Sequence, residues 1–167
     1  MAGLFYLLCM EKVLNFLRNS DIDFTLFEHD PVYTVEEAKA TRGTIEGLHC
    51  KNLFLRNQKG NRHFLVIFPA DKPVDMKTLA PQLGIKRISF ASAERLKKYL
   101  DLNPGSVSVF GLLNDVDKKV ELFLDSSVLK AETVTFHPND NAATVALAQD
   151  QFIKALVSLG RDYITLP

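Results

Sequence analysis

The chain has 167 residues, 47% hydrophobic and 24% charged, enough for one domain with a sizeable core and short of two comfortable ones. Its 20 basic and 20 acidic side chains cancel, which argues against broad electrostatic binding to nucleic acid, DNA above all, while leaving room for a local basic patch. The two cysteines, Cys9 and Cys50, offer no disulfide framework and no metal-ligand spacing, so a reducing cytoplasm is the expected compartment.

The opening MAGLFYLLCM is apolar, but it has no basic leader and is too short to span a bilayer, so no membrane association is expected. Residues 1–10 read as an N-terminal extension of the first helix, or as an upstream start ahead of Met10, with a single domain over residues 11–167. EKVLNFLRNSDIDF carries Val13, Leu14, Phe16 and Leu17 at helical spacing and ends at an Asn-Ser-Asp break. DFTLFEHDP alternates as a short strand and stops at Pro31. TVEEAKATRG predicts a helix, with Thr34 as its N-cap, acids in the first turn and Gly43 at its end. GLHCKNLFLRNQKGNRHFLVIF predicts two apolar strands around an NQKGN turn, with Gly60 for a left-handed position.

DMKTLAPQLG predicts a short helix with Pro81 inside its pattern, KRISF a strand and SAERLKKYLDL a second amphipathic helix. SVSVFGL, KVELFLD and ETVTFH are expected strands. ATVALA is another, because Asp150 then opens a helix over QFIKALVSLG that ends at Gly160, and YITL is a last strand. Strands and helices intermix without strict βαβ alternation. That pattern predicts an α+β (mixed α/β) single domain, its mixed, mostly antiparallel sheet curled around one core and flanked by helices.

The usual catalytic signatures are missing: GxSxG, the P-loop, GxGxxG and HExxH do not occur. The four histidines share no metal spacing, so neither metal nor cofactor is expected. Cys50 adjoins His49, but neighbouring strand residues point to opposite faces, which makes Cys50 a structural thiol rather than half of a nucleophile–base pair. Three stretches stand apart from generic core. Lys51-Asn52 opens a strand, and Lys51 shares a side with Leu53 and Leu55; its ammonium either snorkels to water or meets an anion or carbonyl. In PGSVSVFGLLND, Gly105 and Gly111 bracket a Ser/Val run whose backbone amides either approach a ligand or form an ordinary turn into a core strand. In TFHPNDNAATVAL, His137 stands at a strand end, and Asn141 and Thr144 in the following loop supply hydrogen-bonding groups.

Together, in this order and at these separations, CKNLFLRNQKGNRHFLV, PGSVSVFGLLND and FHPNDNAATVAL resemble the prolyl-tRNA editing family. That family comprises the editing domain inserted in bacterial prolyl-tRNA synthetases and its free-standing relatives, alanyl-tRNA(Pro) deacylases among them. The resemblance spans about residues 11 to 166. It implies a cofactor-free hydrolase that cleaves the ester of mischarged tRNA(Pro), typically alanyl-tRNA(Pro), with prolyl-tRNA synthetase or an elongation factor as a protein partner. It assigns Lys51, Gly105 and His137 to catalysis and Asn52, Ser106, Val109, Asn141 and Thr144 to substrate binding. Arg56, Lys59 and Arg62 in the hairpin, with Lys86 and Arg87 further on, are the expected basic contacts to tRNA. Gly105 opens the family's Gly-x-x-x-Pro loop, but Val109 stands at the proline position, so the aminoacyl group that fits is left open. Related substrates carrying cysteine, serine or threonine, and a non-catalytic module that binds tRNA or a synthetase, are the alternatives.

Overall fold

The computed structural model describes residues 2–31, 40 and 43–167, with side chains from Leu8 onward. The helix expected over residues 34–43 lies outside the described residues.

Helix α1 (Ala2–Asn19) turns Val13, Leu14 and Leu17 inward and ends where Asp21 takes a left-handed conformation at φ 51°. Strand β1 (Thr25–Glu28) follows, then the hairpin of β2 (Leu48–Asn57) and β3 (His63–Pro69), whose turn uses Gly60 at φ 70°. Helix α2 (Met76–Gln82) is capped by Asp75, which accepts from the amides of Lys77 and Thr78, and Pro81 is confined to its last turn. Strand β4 (Ile88–Phe90) precedes α3 (Ala93–Leu100), which Ser92 caps. After β5 (Val120–Asp125) comes a short α4 (Ser126–Lys130), then β6 (Thr133–Phe136), β7 (Ala143–Ala148), α5 (Gln149–Ser158) and β8 (Tyr163–Leu166).

Three expectations are corrected here. SVSVFGL is not a strand: Val109–Leu113 forms a 3₁₀ helix, because the Ser108 hydroxyl accepts from the Phe110 amide at 3.2 Å and caps it. Local serine bonding of this kind competes with sheet pairing and overrides an alternating pattern. Helix α4 had no periodic signal; it forms because the Asp125 carboxylate accepts from the Ser127 amide at 2.8 Å. Thr144 belongs to β7 rather than to a loop.

The strands form one mixed sheet in the order β1-β7-β6-β2-β3-β5-β8, with β4 paired to β2. The pairings β1–β7, β6–β7, β2–β3 and β2–β4 are antiparallel, and β2–β6, β3–β5 and β5–β8 are parallel. A principal core gathers α1, α3, α5 and the 3₁₀ helix on one face of this sheet. A smaller core covers the other face under α2, where Leu55, Phe64, Val66 and Phe68 meet Leu79 and Leu83. Side chains alternate along β2, so Cys50 and Phe54 belong to the first core and Leu53 and Leu55 to the second. Beyond the reach of α2, around β6 and β7, that second face becomes polar.

Candidate active site

Strand β2 organises the site through one of its edges. Along the opposite edge it pairs with β3 from Cys50 to Arg56. On the edge in question it pairs first with β6, at Leu48 and His49, and later with β4, from Leu55 to Asn57. Between these pairings, residues 50–53 have no strand neighbour on that side among the described residues. There β6 has already ended at Phe136, and His137 leads into a tight turn. Lys51 and Asn52 fall within this stretch, with side chains on opposite faces of the sheet.

Lys51 lies on the face of Leu53 and Leu55, opposite Phe68. It is half-buried, and its ammonium donates to the backbone carbonyl of Lys72. The stem therefore follows apolar surface while the head is fixed beside the mouth of the strand. His137 follows the last residue of β6, two positions past the pairing of His49 with Thr135. His137 Nδ1 lies 2.9 Å from the Ala143 carbonyl, an acceptor, so this nitrogen carries a proton. Buried Thr144 completes the group, and Asn141 is half-buried in the turn between His137 and β7. Asp140 braces that turn by accepting from the Ala142 amide at 2.8 Å.

His29 belongs to the same cluster although the sequence singled it out for no role. Its Nδ1 donates to the Asp30 carbonyl at 2.9 Å, its Nε2 accepts from the Thr144 hydroxyl at 3.0 Å, and its ring meets that of His137 edge-on at 6.3 Å. Its one sequence signal is shared in part with His137: each follows a short strand and stands one or two residues before a proline.

Asn52 points the other way, into the face of the principal core, so the Lys51-Asn52 pair straddles the sheet. Its Oδ1 is buried and finds no hydrogen-bond partner among the described residues. The Gly105 loop approaches from this side, where Phe110 packs edge-on against Phe136 at 6.1 Å. The Ser106 amide donates to the Asn103 carbonyl at 3.1 Å, which closes an Asn-Pro-Gly-Ser turn with Gly105 at φ 91°, as a type II turn requires. That corrects part of the sequence expectation: the Ser106 amide is committed to the turn and is no oxyanion donor. Ser106 and Val109 are both buried, and Val109 belongs to the core rather than to a pocket wall. Burial pushes the Cys50 thiol up to about 12, which keeps it a neutral core group.

The five expected basic contacts separate. Arg56 and Arg87 line one shallow surface hollow of about 240 Å³ with Gln58, Ile88 and Ser89, and Lys59 and Lys86 are exposed close by in sequence. Arg62 is held elsewhere: its guanidinium grips Glu121 at 2.7 and 2.8 Å and lies 5.1 Å from the Phe64 ring centre. Among the described residues no group of three His, Cys, Asp or Glu side chains could hold a metal ion, and no helix is long and apolar enough to cross a membrane.

Comparison with known proteins shows the family. The model of the aminoacyl-tRNA editing domain matches residues 29–155. The prolyl-tRNA editing protein ProX of Acetoanaerobium sticklandii is 42% identical over 153 residues, covering 92% of this chain and 93% of that protein. A prolyl-tRNA synthetase associated domain-containing protein of Bos taurus is 35% identical, covering 83% of each. The multifunctional Ser/Thr-tRNA deacylase ProXp-y of Escherichia coli K12 is 28% identical across 60% of this chain and 61% of its own length. A solved structure of a candidate trans-editing enzyme for prolyl-tRNA synthetase superposes with a TM-score of 0.70 at 17% identity, covering 95% of this chain and 96% of the other, a likeness of fold. With the family model matching most of the chain and a full-length relative at 42% identity, the chain belongs to the aminoacyl-tRNA editing domain family.

Proposed function

We propose that this protein is an aminoacyl-tRNA deacylase that hydrolyses the ester of mischarged tRNA(Pro), with alanyl-tRNA(Pro) as its first substrate. The observation that carries the reading is the His29–Thr144–His137 cluster at the ends of β1, β6 and β7, with Lys51 held by the Lys72 carbonyl on the neighbouring strand β2. The Lys51 ammonium receives the 3′-terminal phosphate or ribose of the tRNA. His137 Nε2 accepts a hydrogen bond from the attacking water or the free ribose hydroxyl, and Thr144 and His29 hold that imidazole's surroundings fixed. Among the described residues no side chain supplies an activated nucleophile, so rate comes from positioning and charge stabilisation rather than from a covalent intermediate. The Gly105 turn closes the aminoacyl end from the opposite face.

The activity meets a need that binding alone does not. A synthetase pocket built for proline rejects a substrate lacking a methylene by only ~1–3 kcal/mol, so a second pocket that hydrolyses the smaller product completes the discrimination. The Arg56–Arg87 hollow, with Lys59 and Lys86, suits the phosphates of an acceptor stem, while Arg62 contributes least because Glu121 already holds it. Work on charged tRNA places the protein in the cytoplasm, beside prolyl-tRNA synthetase or the elongation factor that competes for the same substrate.

The test is hydrolysis of alanyl-, cysteinyl-, seryl- and prolyl-tRNA(Pro) by the purified protein beside Lys51→Ala. The expected outcome is rapid release of alanine, prolyl-tRNA left intact and a loss of at least ~10²-fold in kcat/KM for Lys51→Ala. Release of serine or cysteine instead would reassign the substrate. Binding without hydrolysis of any ester would make the protein a non-catalytic module.

A further inference from the structure

Asp125, at the end of β5, is fully buried, yet it is a carboxylate with one lysine beside it. Its Oδ2 lies 2.5 Å from Lys72 Nζ, and its Oδ1 accepts from the Ser127 amide. Lys72 also donates to the Pro167 carbonyl at 3.2 Å, and its ammonium lies 5.7 Å from the Phe68 ring centre. Through one side chain, the turn between β3 and α2 is thus tied to the ends of β5 and β8. Two backbone bonds shape the same turn, from the Ala70 amide to the His49 carbonyl at 2.7 Å and from the Lys72 amide to the Pro69 carbonyl at 3.1 Å.

Stability alone is a poor reason for such a tie. A buried carboxylate is costly to desolvate even beside a part-exposed lysine, and apolar residues of similar size often hold a structure as well or better. What distinguishes Lys72 is its other end: its backbone carbonyl is the acceptor for the Lys51 ammonium. We propose that Lys72 and Asp125 are positioning residues for Lys51, fixing the carbonyl that aims its ammonium at the tRNA 3′ end. Neither touches the substrate. The ion pair fixes the turn, the turn fixes the carbonyl, and the carbonyl fixes the direction of a side chain that otherwise samples many rotamers. Orientation established before binding does not have to be paid for when the tRNA arrives.

This inference rests on the deacylase reading, and its test separates the two. Lys72→Met alone would strand a buried charge, so the informative variant is Lys72→Met/Asp125→Asn, which removes both charges and keeps an oxygen for the Ser127 amide. It is expected to fold and to raise KM for the charged tRNA about 5- to 10-fold with kcat within twofold, and Lys72→Arg is expected to remain within twofold of wild type. A purely structural role would lower the active fraction, and so kcat, at unchanged KM; that result overturns the proposal, as does an unchanged KM. If the wild type hydrolyses no charged tRNA, the deacylase reading fails by itself. The coupling is then read from the rate at which Lys51 is acetylated by a small reagent, followed by mass spectrometry. A several-fold rise in the double variant but not in Lys72→Arg supports it, and equal rates overturn it.

Discussion

Lys51 and Asn52 are neighbours in sequence with opposite surroundings. Strand alternation made half of this legible: Lys51 does share the side of Leu53 and Leu55. Its partner was not legible, because the Lys72 carbonyl is reached only through a turn 21 positions away. His29 was missed for the same reason on a larger scale, since it and Thr144 are separated by 115 positions. Asn52 carries the sharpest expectation at this scale. A buried amide oxygen without a partner costs ~1–3 kcal/mol, and such groups are retained where a ligand completes them. Asn52→Leu is therefore expected to leave the thermal midpoint unchanged or raise it, while deacylation falls at least tenfold. A clear drop in the midpoint would make the amide structural.

Among the elements, the 3₁₀ helix repays most study. The alternating serines and valines that lead into it imitate a half-buried strand, and nothing in that period reveals that Ser108 spends its hydroxyl on a cap. Its first residue is Val109, where the family has proline. The amide of a helix's first residue has no partner within the helix, so proline is tolerated at this place. Among the described residues the Val109 amide donates to no backbone carbonyl. The exchange is thus mild for the backbone, and the Gly105 turn is set independently by Pro104 and by the φ of Gly105 itself. Val109→Pro is expected to fold with a loss of no more than ~1 kcal/mol in chemical denaturation and to keep activity on the preferred substrate within threefold. Collapse of the fold would show that the valine amide or its branched side chain is indispensable.

Across the whole molecule, most strands and helices could be read from apolar periodicity, because the sheet is covered by amphipathic helices and its strands have alternating or wholly apolar faces. The order of the strands could not be read, since pairings such as β2 with β6 depend on contacts far apart in sequence. One long-range contact sets a response to acid. His63 is buried between the hairpin and α3, with its Nε2 2.9 Å from Arg95 Nη1 and its ring 4.0 Å from that of Tyr99. Arginine only donates, so the imidazole accepts and is neutral. Burial, then the cations Arg95, Arg56 and Lys98, hold its pKa below the ordinary value of 6.5. The folded protein therefore binds this proton less readily than the unfolded chain. The stability it contributes is complete above 6.5 and is lost as pH falls from there through the lowered folded value. Chemical denaturation from pH 8 to 5 is expected to show that loss in the wild type and a flatter profile in His63→Gln; parallel profiles would remove His63 as the cause.

The partition of the site between β1, β2 and the β6–β7 turn also bears on the chain's own synthesis. His29 emerges from the ribosome early, but its partner Thr144 is 115 residues behind, about 6–23 s at ordinary translation rates. Until β7 is out, β1 has no strand to pair with and the His29–His137–Thr144 cluster does not exist. If this cluster is the hydrolytic site proposed above, a nascent chain is inert toward charged tRNAs until nearly the whole of these 167 residues is made.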